Sequence, residues 1–143
     1  MTLVFIGETS SDLVPEITMI MQNALASIFA FSVDLDHTGC FRHGGKELWW
    51  IGSTGESTSG NDALRGIRQR IGEGLDMAGI HYDRRPFRAH ITLGREIKPI
   101  ISIEPGENQL IVPIKRISLM KSEHLKGLLR YTEVFGQDLI LRA

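Results

Sequence analysis

A histidine and a threonine two residues apart are the side chains in this sequence best placed to do chemistry. His90, Ile91 and Thr92 lie in a short β-branched stretch that predicts a strand. Side chains at i and i+2 of a strand share a face, roughly 6.6 Å apart at about 3.3 Å per residue. A proton-transferring imidazole and a hydroxyl donor would then meet one bound phosphate, while Ile91 and Leu93 point to the core. Spacing alone leaves a purely structural role for the pair open.

Arginines lie on both sides of this pair. Arg95 follows His90 at an odd offset, so ideal alternation puts it on the other face unless a twist or turn brings it round. Arg84, Arg85 and Arg88 precede the pair in a basic loop. This loop is either a solvated surface or a contact for an RNA backbone.

The periodicity around the pair predicts an α+β fold with helices on one face of mainly antiparallel sheets. Apolar residues recur at helical spacing from Leu13 to Ile28 and again between Asp62 and Met77, where Gly79 would end the second helix. Trp49 and Trp50 should face opposite ways on a strand, one of them either packing or stacking on a base. The remaining pattern predicts strands at residues 2–6, 29–35, 47–51, 90–95, 100–103 and 110–120, a hairpin at 129–141, turns at 38–39 and 43–46, and a loop at 52–60.

Length and composition favour one globular domain over residues 1–143. Residues 1–3 (MTL) echo residues 91–93 (ITL), and two pseudo-symmetric lobes that flank a central cleft would produce such an echo. The chain has 143 residues, 42% of them apolar, and a net charge of −1, so no overall charge attracts nucleic acid. Its single cysteine excludes an intrachain disulfide and fits a reducing compartment. No apolar run spans a membrane and the start lacks signal-peptide features, so a cytoplasmic location is expected. The other histidines lack ligand-like partners, and no metal site is predicted.

The residues around the pair resemble a known signature. Residues 85–95 (RPFRAHITLGR) resemble the second signature of the two-histidine, LigT-like RNA 2′,3′-cyclic phosphodiesterases, also called 2′-5′ RNA ligases. That signature reads like Arg-Pro-Phe-x-Pro-His-x-Thr-Leu-x-Arg, and Ala89 replaces its second proline. Residues 1–8 (MTLVFIGE) are similar to the part of the first signature after its histidine, in His-x-Thr-Leu-x-Phe-Leu-Gly-Glu. Residues 31–41, 48–52 and 119–122 are similar to later strands of the family, so the resemblance covers nearly the whole chain.

The resemblance implies a phosphodiesterase without metal or cofactor. In the family, one histidine accepts a proton from the attacking group and another protonates the leaving ribose oxygen. It implies His90 as an acid or base, Thr92 and Thr2 as holders of the phosphate, and Arg95 and Arg88 as substrate-binding residues. The expected substrates are 2′,3′-cyclic phosphates on RNA ends or nucleotides, opened to 2′-phosphates, with reversible 2′-5′ ligation as a second reaction.

The start of the sequence leaves alternatives open. In register with the family, the first catalytic histidine falls immediately before Met1, so a rate lower by on the order of 10²–10⁴ is expected of this chain. It is then either an enzyme, a module that binds RNA ends or nucleotides without cleaving them, or a partner-binding domain. An in-frame histidine upstream of Met1 would favour the enzyme. An uncovered sheet edge would favour a homodimer.

Overall fold

The structure is a computed structural model that describes residues 1–53, 59–98 and 106–143. Two helices and six strands make up its regular elements. A 3-10 turn, Ser11–Leu13, leads into α1 (Val14–Leu25), and the second helix is α2 (Ser59–Met77). The strands are β1 (Phe31–His43), β2 (Lys46–Gly52), β3 (His90–Ile97), β4 (Glu107–Ile114), β5 (Arg116–Leu125) and β6 (Leu128–Asp138).

Local chemistry explains where the helices begin and end. The Ser10 hydroxyl accepts a hydrogen bond from the Asp12 amide at 3.3 Å, which satisfies one free donor at the start of the 3-10 turn. Pro15 lies in the first turn of α1, where its missing N–H group is harmless. Gly79, with φ at 69°, takes the left-handed conformation that is typical just after the end of a helix, here α2.

The strands form two antiparallel sheets. The larger has the order β3-β2-β1-β4, and the smaller is the β5–β6 hairpin. Val33, Leu35 and Ile51 of the larger sheet pack under α2 against Leu64, which is 1% exposed. A Cβ on Gly60 would overlap the Ser32 carbonyl oxygen, so α2 begins in direct backbone contact with β1. This contact fixes the helix on one face of the sheet and leaves the opposite face uncovered by it.

The fold class expected from the sequence is confirmed: the protein is α+β, with mainly antiparallel sheets and helices outside them. Both helices, β2 and β3 overlap their predicted ranges, although α1 ends at Leu25 rather than near Ile28 and α2 begins at Ser59 rather than near Asp62. The turn predicted at 43–46 is confined to residues 44 and 45. No helix in the described ranges combines the length and the apolar character needed to cross a bilayer.

Some element predictions are wrong. Residues 2–6 form an irregular segment, because its backbone carbonyls bond to Arg68 and to the Asp83 amide instead of to a strand. Thr38 and Gly39 lie inside β1, where the glycine accommodates a neighbouring ring rather than a turn.

The late strands also differ from their predicted bounds. The 110–120 stretch divides at Lys115 into β4 and β5, and the hairpin turns early, at Lys126 and Gly127, both with positive φ. The strand expected at 100–103 and most of the loop expected at 52–60 lie outside the described residues.

The homodimer expected from the sequence stays a prediction, and the β5–β6 hairpin is the surface that favours it. Among the described strands, β5 and β6 pair only with each other, which leaves two open edges. Leu128 is 67% exposed and Tyr131 61% exposed. Sedimentation velocity over a concentration series should show dimers, and Tyr131→Lys should weaken the association about tenfold or more. A monomer at every concentration would contradict the prediction.

Candidate active site

The two side chains of chemical interest on β3, His90 and Thr92, face away from the core. Strand β3 pairs with β2 so that His90 lies opposite Gly52, Ile91 opposite Ile51 and Thr92 opposite Trp50. Ile51 is buried and Ile91 packs against the same cluster under α2. Because side chains alternate along a strand, His90 and Thr92 share the opposite, accessible face. His90 is exposed and Thr92 half-buried.

A backbone hydrogen bond sets the tautomer of His90. Its Nδ1 lies 2.8 Å from the carbonyl oxygen of Arg88, which can only accept. Nδ1 therefore carries the proton, and Nε2 keeps its lone pair toward solvent. The same bond persists when the ring is doubly protonated, so one ring orientation suits both a base that accepts a proton and an acid that returns it.

Gly52 makes room for the imidazole. A Cβ on Gly52 would stand 2.8 Å from the Ala89 carbonyl oxygen and 3.2 Å from the His90 Cβ. The Ala89 carbonyl also accepts a hydrogen bond from the Ser53 amide at 3.1 Å, which anchors the start of β3 to the end of β2. A larger residue at position 52 would displace this start, and His90 with it.

Two register shifts interrupt the regular alternation of β3 beyond Thr92. Thr92 pairs with Trp50 and Gly94 with Trp49, so β3 carries one residue more than β2 at Leu93. The extra residue reverses the alternation beyond it. A second register shift, between Gly94 and Ile97, brackets Arg95, so its odd offset does not exclude it from the face of His90 and Thr92. The prediction that Leu93 points to the core is wrong, because Leu93 lies at the bulge and is 58% exposed.

The loop before β3 is braced by Arg68 from α2. Its guanidinium donates to the carbonyl oxygens of Leu3 at 3.1 Å, Asp83 at 2.9 Å and Arg85 at 2.9 Å. The Phe5 carbonyl accepts from the Asp83 amide at 2.8 Å. Residues 2–6 thus lie against the loop that leads to His90, although they form no strand.

The sequence carries no clear signal for the role of Arg68, which has the pattern of one more exposed charge on a helix. Arg68 directly follows the buried Ile67, and this position is the only indication that its side chain packs against the rest of the protein. Its partners are backbone carbonyls distant in the chain, and residue types do not predict such contacts.

Thr2 and Arg88 are the other two predicted site residues. Thr2 is exposed, and its neighbour Leu3 packs against the cluster that contains Ala89. The Arg88 side chain is exposed and lines a small cavity of about 20 Å³, while its carbonyl holds His90.

Neither of the two cavities described on this chain contains His90 or Thr92. The larger, of about 360 Å³, lies beside α2 and is lined by Arg65, Arg68, Gln69, Glu73, Asp76, Tyr82 and Phe87. His90 is exposed and Thr92 is half-buried on their face of the sheet. In the described ranges no group of three or more His, Cys, Asp or Glu side chains could hold a metal ion.

Asp83 fixes the loop electrostatically, and its pKa makes the loop sensitive to acid. Hydrogen bonds from the Arg85 side chain and amide lower the pKa of Asp83 from 3.8 to about 2. A lowered pKa adds stability above pH 3.8, and this contribution is lost as the pH falls through about 2. Urea unfolding between about pH 5 and pH 2 should show this loss, and Asp83→Asn should show less of it. Equal acid sensitivity of both proteins would contradict the assignment.

An α+β protein of two antiparallel sheets, with a strand-borne His-x-Thr pair on an open face, has the fold of the LigT-like phosphoesterases. Residues 1–123 match the model of the 2′-5′ RNA ligase superfamily, and the chain belongs to this family. No curated protein gives a significant match.

Solved structures agree on the fold. TT0787 of Thermus thermophilus is 25% identical with a TM-score of 0.73, over 96% of this chain and 76% of that one. Apo LigT of E. coli is 21% identical with a TM-score of 0.68, over 97% and 74%. E. coli LigT complexed with NADP+ is 22% identical with a TM-score of 0.73, over 97% and 74%.

Proposed function

We propose that this protein opens 2′,3′-cyclic phosphates on RNA ends or nucleotides to 2′-phosphates, without a metal or another cofactor. The observation that carries the proposal is the pair His90 and Thr92 on one accessible face, with Nδ1 of the imidazole tied to the Arg88 carbonyl. Family membership supports phosphoester chemistry. Structures of E. coli LigT contain 3′-AMP, ATP and phosphate, which supports a nucleotide ligand here as well.

The proposed reaction is an in-line displacement at phosphorus. A water oxygen attacks the phosphorus atom and loses its proton to a base, while the bond to the 3′-oxygen breaks and that oxygen is protonated by an acid. The product carries a 2′-phosphate and a 3′-hydroxyl. His90 performs one of the two proton transfers through Nε2. Thr92 and Arg95 hold the non-bridging oxygens, with Thr2 and Arg88 as further substrate-binding residues.

Ligation is the same displacement with another nucleophile. When the 5′-hydroxyl of a second RNA strand replaces water, the broken bond is again that to the 3′-oxygen, and the product is a 2′-5′ phosphodiester. We propose this as the second reaction of the site. The cytoplasmic location expected from the sequence also stays a prediction.

The test is turnover of uridine 2′,3′-cyclic phosphate in the presence of EDTA, followed by ³¹P NMR. We expect uridine 2′-phosphate as the product, formed at an unchanged rate when EDTA is present. A 3′-phosphate product or a rate abolished by EDTA would contradict the proposed mechanism. Binding of the nucleotide without any turnover would instead favour the second candidate, a module that holds RNA ends or nucleotide phosphates, for which the exposed His90 is also accessible.

A further inference from the structure

We propose that three rings beside the His90–Thr92 pair, those of His37, Phe41 and Trp50, form a binding site for the nucleobase of the substrate. We name them the aromatic cluster. The proposal rests on the function proposed above, since it adds a base-binding subsite to the same sheet face.

Strand register puts the aromatic cluster on the same face as the candidate catalytic pair. Trp50 lies opposite Thr92 of β3 on one side and opposite Gly39 of β1 on the other. His37 lies opposite Gly52, which itself lies opposite His90. Residues directly opposite each other in antiparallel strands project to the same side. The rings and the proton-transfer group therefore share one surface.

The Trp50 indole is held in place by packing on Gly39. A Cβ on Gly39 would overlap the ring, so only glycine lets the indole lie across β1. Its Nε1 is buried and has no hydrogen-bond partner among the described residues. A buried donor without a partner opposes folding, so stability alone does not explain an indole here. A role as a flat, fixed surface on which a base stacks does explain the indole at position 50.

Phe41 extends this surface toward solvent. Its ring centroid lies 5.9 Å from that of Trp50 at an interplanar angle of 37°, and the residue is 66% exposed although it lies within β1. The His37 ring flanks the indole at 6.3 Å and 54°. Phe41 is exposed, while His37 and Trp50 are half-buried beside it. Accessible aromatic rings next to a phosphate-binding group are what single-stranded nucleic acids stack on.

The spacing suits one nucleotide. Neighbouring strands lie about 4.8 Å apart. Trp50 is on β2, the strand next to Thr92, and Phe41 is on β1, one strand further away. A phosphate held at His90 and Thr92 would place the ribose over β2 and the base over the rings that lie across β1. Stacking accepts any base, because every base has a π-face, so we expect little preference among uridine, cytidine and adenosine nucleotides.

The two tryptophans of the chain provide a direct test, because Trp49 faces the other way. Its Nε1 donates to Glu47 Oε2 at 2.7 Å on the helix-side face of the sheet. In Trp49→Phe the remaining indole is Trp50, and uridine 2′-phosphate should quench its fluorescence. In Trp50→Phe the remaining indole is Trp49, and the same nucleotide should leave its emission unchanged. Quenching of equal size in both variants would overturn the proposal.

Calorimetric titrations measure the contribution of the base. Uridine 2′-phosphate should bind on the order of tenfold more tightly than inorganic phosphate, the gain expected of one stacked base. Phe41→Ala should remove most of this gain and leave phosphate affinity unchanged. Phe29→Ala is the matched control, because Phe29 is 46% exposed but lies outside this sheet face, against Arg142.

The outcomes separate the two proposals. If phosphate and nucleotide bind equally well and Phe41→Ala changes neither, the base site is overturned while the phosphoesterase assignment stands. If neither ligand binds to the wild-type chain, both proposals are overturned. If nucleotide binding is lost in Phe41→Ala but turnover of a base-free cyclic phosphate persists, the aromatic cluster is confirmed as the base site.

Discussion

Replacing His90 with asparagine is expected to lower kcat/KM for uridine 2′,3′-cyclic phosphate by on the order of 10²–10⁴. The asparagine amide can still donate to the Arg88 carbonyl, the bond that His90 Nδ1 makes at 2.8 Å. What it lacks is Nε2, the nitrogen that would transfer the proton. The variant thus removes the proposed acid or base while it preserves the local hydrogen bond, and the measurement is the initial rate of 2′-phosphate formation.

The control for this prediction is His81→Ala, which removes an exposed histidine from the segment after α2. We expect its rate to stay within about twofold of the wild-type rate. Urea unfolding of His90→Asn should give a midpoint close to wild type, because an exposed side chain contributes little to stability. Full activity in His90→Asn would remove His90 from the mechanism and leave the binding module as the better interpretation.

Truncation of Leu64 to alanine is expected to lower the free energy of unfolding by about 2–5 kcal/mol. Leu64 is 1% exposed and packs with Leu35, Ile51 and Ala89 directly under the strands that carry the candidate site. The lost methyl groups leave a cavity that the close contact of Gly60 with β1 prevents from collapsing. Denaturant unfolding followed by circular dichroism measures the change.

The matched control lies on the same helix. Met77 of α2 is 91% exposed, and Met77→Ala should change the free energy of unfolding by less than about 0.5 kcal/mol. A loss of similar size in Met77→Ala would contradict the assignment to packing under the sheet, because alanine has the higher helix propensity and Met77 has little contact to lose. We also expect Leu64→Ala to lower turnover at temperatures near its midpoint, since Ile51 and Ala89 position the start of β3.

Much of the site could be predicted because strand alternation is a local property. A period of two residues places His90 and Thr92 together and Ile91 apart, whatever the rest of the fold does. The same argument assigned opposite faces to Trp49 and Trp50, which the structure confirms through the partners of each ring. The approximate positions of the helices were also predictable, since apolar periodicity acts over a few residues, although α1 ends and α2 begins three residues before the predicted positions.

Contacts between distant parts of the chain could not be predicted in this way. Residues 2–6 have the composition of a strand, yet no described strand pairs with them, and Arg68 takes up the Leu3 carbonyl instead. Strand formation depends on a partner as well as on propensity. The side of β3 on which Arg95 lies similarly depends on two register shifts, at Leu93 and between Gly94 and Ile97, which arise from the pairing of β2 with β3.

An α+β chain with an imidazole and a hydroxyl side by side near residue 90 follows from the order of the amino acids alone, because both results come from short-range periodicity. The surroundings of that pair depend on how distant segments pack. Strand register brings Trp50 and His37 to the face of the pair, while α2 packs on the opposite face. Pairing between strands is a long-range property, and a one-residue shift reverses every side chain beyond it.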